Sequence, residues 1–86
     1  MKKITMFMFD ECPFCQRAIE IQRQLLAEPT YAGIEIEMIN ERTHPEVAGG
    51  YDYYYVPSYY YAGEKLHEGA AGTEDIRRIL DAVITA

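Results

Sequence analysis

The sequence predicts an α/β domain in which a central mixed sheet of four strands is flanked by helices, in the order β-α-β-α-β-β-α. Three observations carry that reading. Ile4 to Phe9 is a continuous apolar run, the pattern of a strand buried on both faces. Residues 13 to 27 repeat apolar side chains at helical spacing before Ile34 to Ile39 alternates, so a helix joins two strands that run parallel in a right-handed βαβ unit. The second half closes with a tyrosine-rich hairpin and an amphipathic helix.

Taken in order, the first helix shows Phe14, Ala18, Ile21 and Leu25 on one stripe, widened by Ile19 and Leu26. Gln16, Arg17, Glu20, Gln22, Arg23 and Gln24 form its wet side. Pro29 and Gly33 end it. Ile34-Glu35-Ile36-Glu37-Met38-Ile39 is the second strand, alternating apolar and charged apart from its last step. Asn40 to Gly50 is a polar connection in which Thr43 or Asn40 is placed to cap a short helix from about Pro45 to Ala48, ended by Gly49-Gly50. Ser58-Tyr59-Tyr60-Tyr61 is a strand, Ala62-Gly63-Glu64 a hairpin turn, and Lys65 to Gly69 the return strand. Thr73 is placed as the cap of a last helix, Glu74 to about Ile84, with Ile76, Ile79, Leu80 and Val83 on one face.

With 86 residues the chain is one small domain that buries about 60% of its unfolded surface. The net charge of -6 argues against nucleic acid as a partner, because phosphate binding needs clustered Lys and Arg. It also favours basic or neutral substrates over acidic ones. Met1-Lys2-Lys3 and the apolar run after it do not make a signal start, since the run stops at Asp10 and no small-residue cleavage site follows. No stretch is long enough to span a bilayer. A cytoplasmic monomer is expected, with no membrane partner.

Both cysteines lie in Cys12-Pro13-Phe14-Cys15, between the first strand and the first helix. A disulfide across two intervening residues closes too small a loop to staple a fold, so a chemical role is expected. At a helix start the first N–H groups lack intrahelical partners and carry partial positive charge, which favours a thiolate there. Cys12 is therefore the candidate nucleophile. Pro13 suits the first turn, having no N–H to leave unpaired. Cys15, one turn on and deeper, is placed to attack the sulfur of Cys12 and release a reduced substrate. The rival readings are incidental thiols, or a metal site completed by His44 and His67, whose spacing matches no recurring zinc pattern.

The chain resembles the thioredoxin superfamily, and within it the glutaredoxins. The resemblance rests on Cys12-Pro13-Phe14-Cys15, which is similar to the glutaredoxin Cys-Pro-Tyr-Cys; on Val56-Pro57, similar to Thr-Val-Pro; and on Gly72-Thr73-Glu74-Asp75, similar to Gly-Ser-Asp-Asp. It implies a thioredoxin fold and a dithiol thiol–disulfide oxidoreductase with Cys12 and Cys15 catalytic. Around them Pro13, Phe14, Tyr55, Val56, Pro57, Gly72, Thr73 and Glu74 border the substrate. The resemblance also implies a cis Val56–Pro57 bond that exposes the Val56 backbone to an extended substrate. The partners implied are protein or small-molecule disulfides, with no tightly bound cofactor or metal and with glutathione or a disulfide reductase as electron donor.

Three departures bear on that donor. Phe9 occupies the position where glutaredoxins usually carry a Lys for the glycine carboxylate of glutathione. Asp10 and Glu11 place charge beside Cys12 that opposes a thiolate, and Tyr55 replaces the usual Thr. A thioredoxin-like electron carrier that does not use glutathione, and a non-catalytic peptide-binding module, are the alternative functions. Of the tyrosines, 59, 60 and 61 are assigned to packing, while 53 to 55 are divided between packing and a substrate groove.

Overall fold

A computed structural model describes residues 1–86. The elements are β1 (Lys2–Met8), α1 (Pro13–Leu26), β2 (Ile34–Asn40), α2 (Pro45–Ala48), β3 (Ser58–Tyr61), β4 (Glu64–Glu68) and α3 (Thr73–Ile84), with a 3-10 turn over Pro29–Tyr31. They form one mixed four-stranded sheet in the order β2-β1-β3-β4. β1 pairs parallel with β2 and antiparallel with β3, and β3 pairs antiparallel with β4. The apolar β1 is central, as its unbroken run requires, and the half-polar β2 is an edge.

The two faces of the sheet are covered differently. On one, Ile4, Met6 and Met8 of β1 and Tyr59 of β3 meet α1 and α3 in the main core. α3 buries Ile76, Ile79, Leu80 and Val83, spaced by three and four as one helical face. Each fully buried aliphatic side chain there contributes roughly 1.5–3 kcal/mol. On the other face Phe7 is fully buried without a helix above it. Tyr51 and Tyr53 cover it, with ring centroids 4.6 and 5.0 Å from that of Phe7, and Tyr60 of β3 stands edge-on at 5.8 Å. Aromatic pairs in this range add about 0.5–1.5 kcal/mol each beyond their burial. Two of the hydroxyls are satisfied: Tyr53 Oη donates to Glu41 Oε1 at 2.6 Å and Tyr60 Oη to the Asp52 carbonyl at 2.6 Å.

Several local expectations are corrected. The buried face of α1 is Cys15, Ala18, Gln22 and Leu25, so Gln22 leaves the wet side and Phe14 leaves the apolar stripe, being 58% exposed. Gln22 tolerates the core because its Oε1 accepts the buried hydroxyl of Tyr59 at 2.9 Å. The cap of α3 is Gly72 rather than Thr73, which is the first helical residue. Asp75 Oδ2 reaches back to accept the Gly72 N–H at 2.9 Å, the half of a capping box that glycine allows. The residue before α2 is His44, with no side-chain cap; Asn40 Oδ1 instead accepts Arg42 N–H at 2.9 Å in an Asx turn.

The hairpin loop is the two-residue pair Ala62-Gly63, both at positive φ (52° and 83°), the backbone that matches the twist of paired strands. At the other end of the sheet Lys2 Nζ donates to the carbonyls of Val83, Ile84 and Ala86 at 3.0, 3.0 and 2.9 Å, capping α3 with a cation. The 3-10 turn docks on the same helix, with Tyr31 Oη donating to Asp81 Oδ1 at 2.7 Å and Arg77 bonding Glu28 through both terminal nitrogens. No helix is long and apolar enough to cross a membrane.

Candidate active site

The loop from Phe9 to Cys12 is short and tied at both ends. Cys12 N–H donates to the Phe9 carbonyl at 3.2 Å, and Gln16 Nε2, one turn into α1, donates to the Asp10 carbonyl at 2.8 Å. Cys12 is the N-cap of α1, with extended φ and ψ of −78° and 114°, and Pro13 follows in the first turn. Cys12 Sγ accepts the Cys15 N–H at 3.3 Å, so the sulfur fills the role that a hydroxyl or carboxylate plays at other caps. Negative charge gathering on that sulfur meets the free N–H groups of the helix start.

The two thiols differ in setting. Cys15 is fully enclosed, and burial, followed by its hydrogen bond with Cys12, pushes its thiol up to about 12; the Glu41 carboxylate adds in the same direction. It therefore holds its proton across the neutral range. Cys12 keeps only 4% of its surface exposed, so the approach to its sulfur is narrow.

That approach is bordered by Val56-Pro57, whose peptide bond is cis, in line with the sequence reading. Cys12 Sγ lies 4.0 Å from the Val56 carbonyl oxygen. The N–H groups of Tyr54 and Tyr55 both donate to Glu68 Oε2, at 2.8 and 3.0 Å, whereas the N–H of Val56 has no partner within the protein. Pro57 is buried and its carbonyl accepts the Gly69 N–H at 2.8 Å; Ser58 Oγ donates to the Tyr55 carbonyl. From Tyr54 to Val56, Val56 is thus the one residue whose backbone donor is uncommitted, and its carbonyl is the group that lies near the sulfur.

Phe14, at 58% exposure, forms the wall of a groove of about 320 Å³ with Arg17, Ala70, Ala71, Gly72 and Asp75. This groove joins the first turn of α1 to the start of α3 and so brings Phe14 and Gly72 together. Thr73 and Glu74 are exposed beside it and do not line it. Arg17 forms no ion pair, so its cation is open to a ligand. A second groove, of about 430 Å³, runs between Pro45–Tyr51 and Tyr53–Tyr54 with Glu41 and Arg42 in its wall. Arg42 lays its guanidinium over the Phe9 ring, 3.8 Å from the centroid, and lies 3.4 Å from Glu11. A cation therefore stands over position 9 although the residue there is aromatic.

The tyrosines divide along the chain. Tyr51 and Tyr53 pack on Phe7, while Tyr54 and Tyr55 project at 89% and 70% exposure next to Val56. Arg17, Arg42 and Glu68 were not assigned to the site by sequence reasoning. Arg17 had a signal, as a cation one turn beyond Phe14; Arg42 and Glu68 reach the site only through the pairing of β1 with β2 and of β3 with β4. No three His, Cys, Asp or Glu side chains converge as metal ligands; His44 Nδ1 lies 2.9 Å from Thr43 Oγ1, and His67 Nε2 donates to the Ala70 carbonyl at 3.0 Å.

No family model matches the chain, and no curated protein is significantly similar to it.

Proposed function

We propose that this protein is a dithiol thiol–disulfide oxidoreductase of the glutaredoxin kind, built on a thioredoxin fold. The observation that carries the reading is the sulfur of Cys12 at the cap of α1, accepting the Cys15 N–H and lying 4.0 Å from the Val56 carbonyl oxygen, beside a cis Val56–Pro57 bond and a residue whose own N–H is uncommitted. A helix-capping sulfur next to a second thiol and a free backbone donor suits exchange with an extended disulfide.

In the forward direction the Cys12 thiolate attacks one sulfur of a substrate disulfide. The substrate S–S bond breaks, a Cys12–substrate disulfide forms, and the other substrate sulfur leaves as a thiolate that takes up a proton. Cys15 then gives up its proton and attacks Cys12 Sγ. The Cys12–Cys15 disulfide forms and the second substrate thiol departs, completing a two-electron reduction of the substrate. An external thiol, glutathione or a reductase dithiol, returns the pair to the reduced form. The unpaired Arg17 and the Arg42 stacked on Phe9 support glutathione, which carries two carboxylates for them to meet. Phe14 and Tyr55 border the substrate, and Gly72, Thr73 and Glu74 open α3 toward it.

The test is reduction of a glutathionylated peptide with glutathione and its reductase as the sole electron source, run beside the same assay coupled to thioredoxin reductase. Cys12→Ser abolishes exchange in both, and Cys15→Ser accumulates mixed disulfides. Full dithiol activity in Cys12→Ser overturns the proposal. Turnover with the second reductase alone keeps the cysteine roles and removes glutathione as the donor.

A further inference from the structure

Glu68 is the last residue of β4 and lies on the opposite side of Val56 from the cysteines in sequence and in strand order. Its carboxylate is fully employed. Oε2 accepts from the Tyr54 and Tyr55 N–H groups and Oε1 accepts from Lys65 Nζ at 2.6 Å. The bond from Lys65, followed by those from the Tyr54 and Tyr55 N–H groups, holds the carboxyl ionised, its pKa lowered to about 2. The adjoining Gly69 N–H holds the Pro57 carbonyl at 2.8 Å, so the end of β4 grips the substrate segment on both sides of Val56 and leaves Val56 free. Residues 54 to 57 belong to no helix or strand; Val56 packs against the core and Pro57 is buried, whereas Tyr54 and Tyr55 are exposed and depend on such ties for their course.

We propose that Glu68 is a positioning residue for the exchange reaction, a carboxylate clamp that fixes the 54–56 backbone so that Val56 reads the main chain of an extended disulfide substrate. It touches neither sulfur nor substrate. This inference rests on the proposed thiol–disulfide activity and names the substrate class that activity serves best: disulfides carried on a peptide backbone, in preference to small disulfides that have none. By consuming the two neighbouring N–H groups, the carboxylate also removes the competing donors, so a substrate strand finds one register. Hydrogen bonds to a charged acceptor are stronger than neutral ones, and a shift of the Val56 peptide out of line removes the alignment they maintain.

The experiment compares Glu68→Ala and Glu68→Gln with the unaltered protein on two substrates, a glutathionylated cysteine peptide and bis(2-hydroxyethyl) disulfide. Glu68→Ala raises KM for the peptide about tenfold with kcat within twofold, leaves the small disulfide within twofold, and speeds exchange of the Tyr54 and Tyr55 amide hydrogens. Glu68→Gln, which keeps an acceptor oxygen, recovers part of the peptide KM. Equal loss on both substrates, or no loss on either, overturns the clamp. If the unaltered protein reduces neither disulfide, the oxidoreductase reading fails on its own. The clamp is then judged by amide exchange, and unchanged protection of Tyr54 and Tyr55 in Glu68→Ala overturns it too.

Discussion

The two faces of the sheet are built from different side chains, and the candidate active site draws on both. The face packed by α1 and α3 is mostly aliphatic and carries the cysteines, through the buried stripe Cys15, Ala18, Gln22 and Leu25. The opposite face is aromatic, built from Phe7, Tyr60, Tyr51 and Tyr53, and the chain that covers it runs on directly into Tyr54, Tyr55 and Val56-Pro57. The cysteines thus sit on the helical core, and the segment that reaches them is anchored on the aromatic core at Tyr51 and Tyr53 before Val56 packs against the helical one. A tyrosine-rich segment without secondary structure is anchored where Tyr51 and Tyr53 lay their rings on Phe7, while Tyr54 and Tyr55 project beside Val56.

The sharpest way to break this division is to empty the aromatic core. Phe7→Ala is expected to cost about 3–5 kcal/mol, read as a lower urea midpoint, because a fully buried ring with three aromatic neighbours leaves a cavity. A cost near that of a surface change shows that this face is no core. Leu80→Ala on the helical face is expected to cost about 2–5 kcal/mol. The milder pair Phe7→Leu and Leu80→Val separates the halves: with both proteins folded, peptide-disulfide exchange falls more in the first, and equal losses remove the division.

Raising the pH probes both cores by their buried acids. The Cys15 thiol is raised in the folded state, so the folded protein keeps a proton that the unfolded chain releases. Its contribution is complete below about pH 9, the ordinary value, and is lost between there and about 12. The slope from this group is at most about 1.4 kcal/mol per pH unit. Burial raises Tyr59 and Tyr53 as well, which steepens the loss above their ordinary value of 10. Stability measured by urea unfolding from pH 8 to 11 declines, and Cys15→Ser lacks the early part of the decline.

Smaller changes refine the picture. Tyr53→Phe keeps the stack on Phe7 but strands the Glu41 carboxylate, at a cost of about 1 kcal/mol in the same assay. Ala62→Gly acts on neither core; it relieves a non-glycine residue at a φ of 52° and raises stability by roughly 0.5 kcal/mol, the strain relieved exceeding the entropy of the freer chain.

The sequence made the frame legible because the frame depends on local pattern. The unbroken run of β1, the periodicity of α3 and the Ala62-Gly63-Glu64 turn, whose last residue in fact opens β4, each report on a few neighbouring residues. The cysteines and Val56-Pro57 were legible for the same reason, being compact motifs. What escaped depends on neighbours distant in the chain. Gln22 looks like a surface residue until Tyr59, 37 positions on, supplies its hydrogen bond. Arg42 joins the site by stacking on Phe9, and Glu68 by reaching back 13 and 14 residues. The hydroxyl of Thr73 predicts a helix cap at that position, but Asp75 satisfies the Gly72 N–H and the helix starts one residue earlier.

The β2 edge bears on how these molecules meet one another. This edge strand presents Glu35 and Glu37 on one face of the sheet, between apolar neighbours, with Met38 half exposed. Two copies approaching edge to edge bring carboxylates into opposition, in a chain that is already anionic. The lone ion pair of Glu37 with Lys3, at 3.9 Å and well exposed, does little to mask that charge. Charge of this kind on an edge strand is expected to disfavour the recruitment of a fifth strand from a neighbouring molecule.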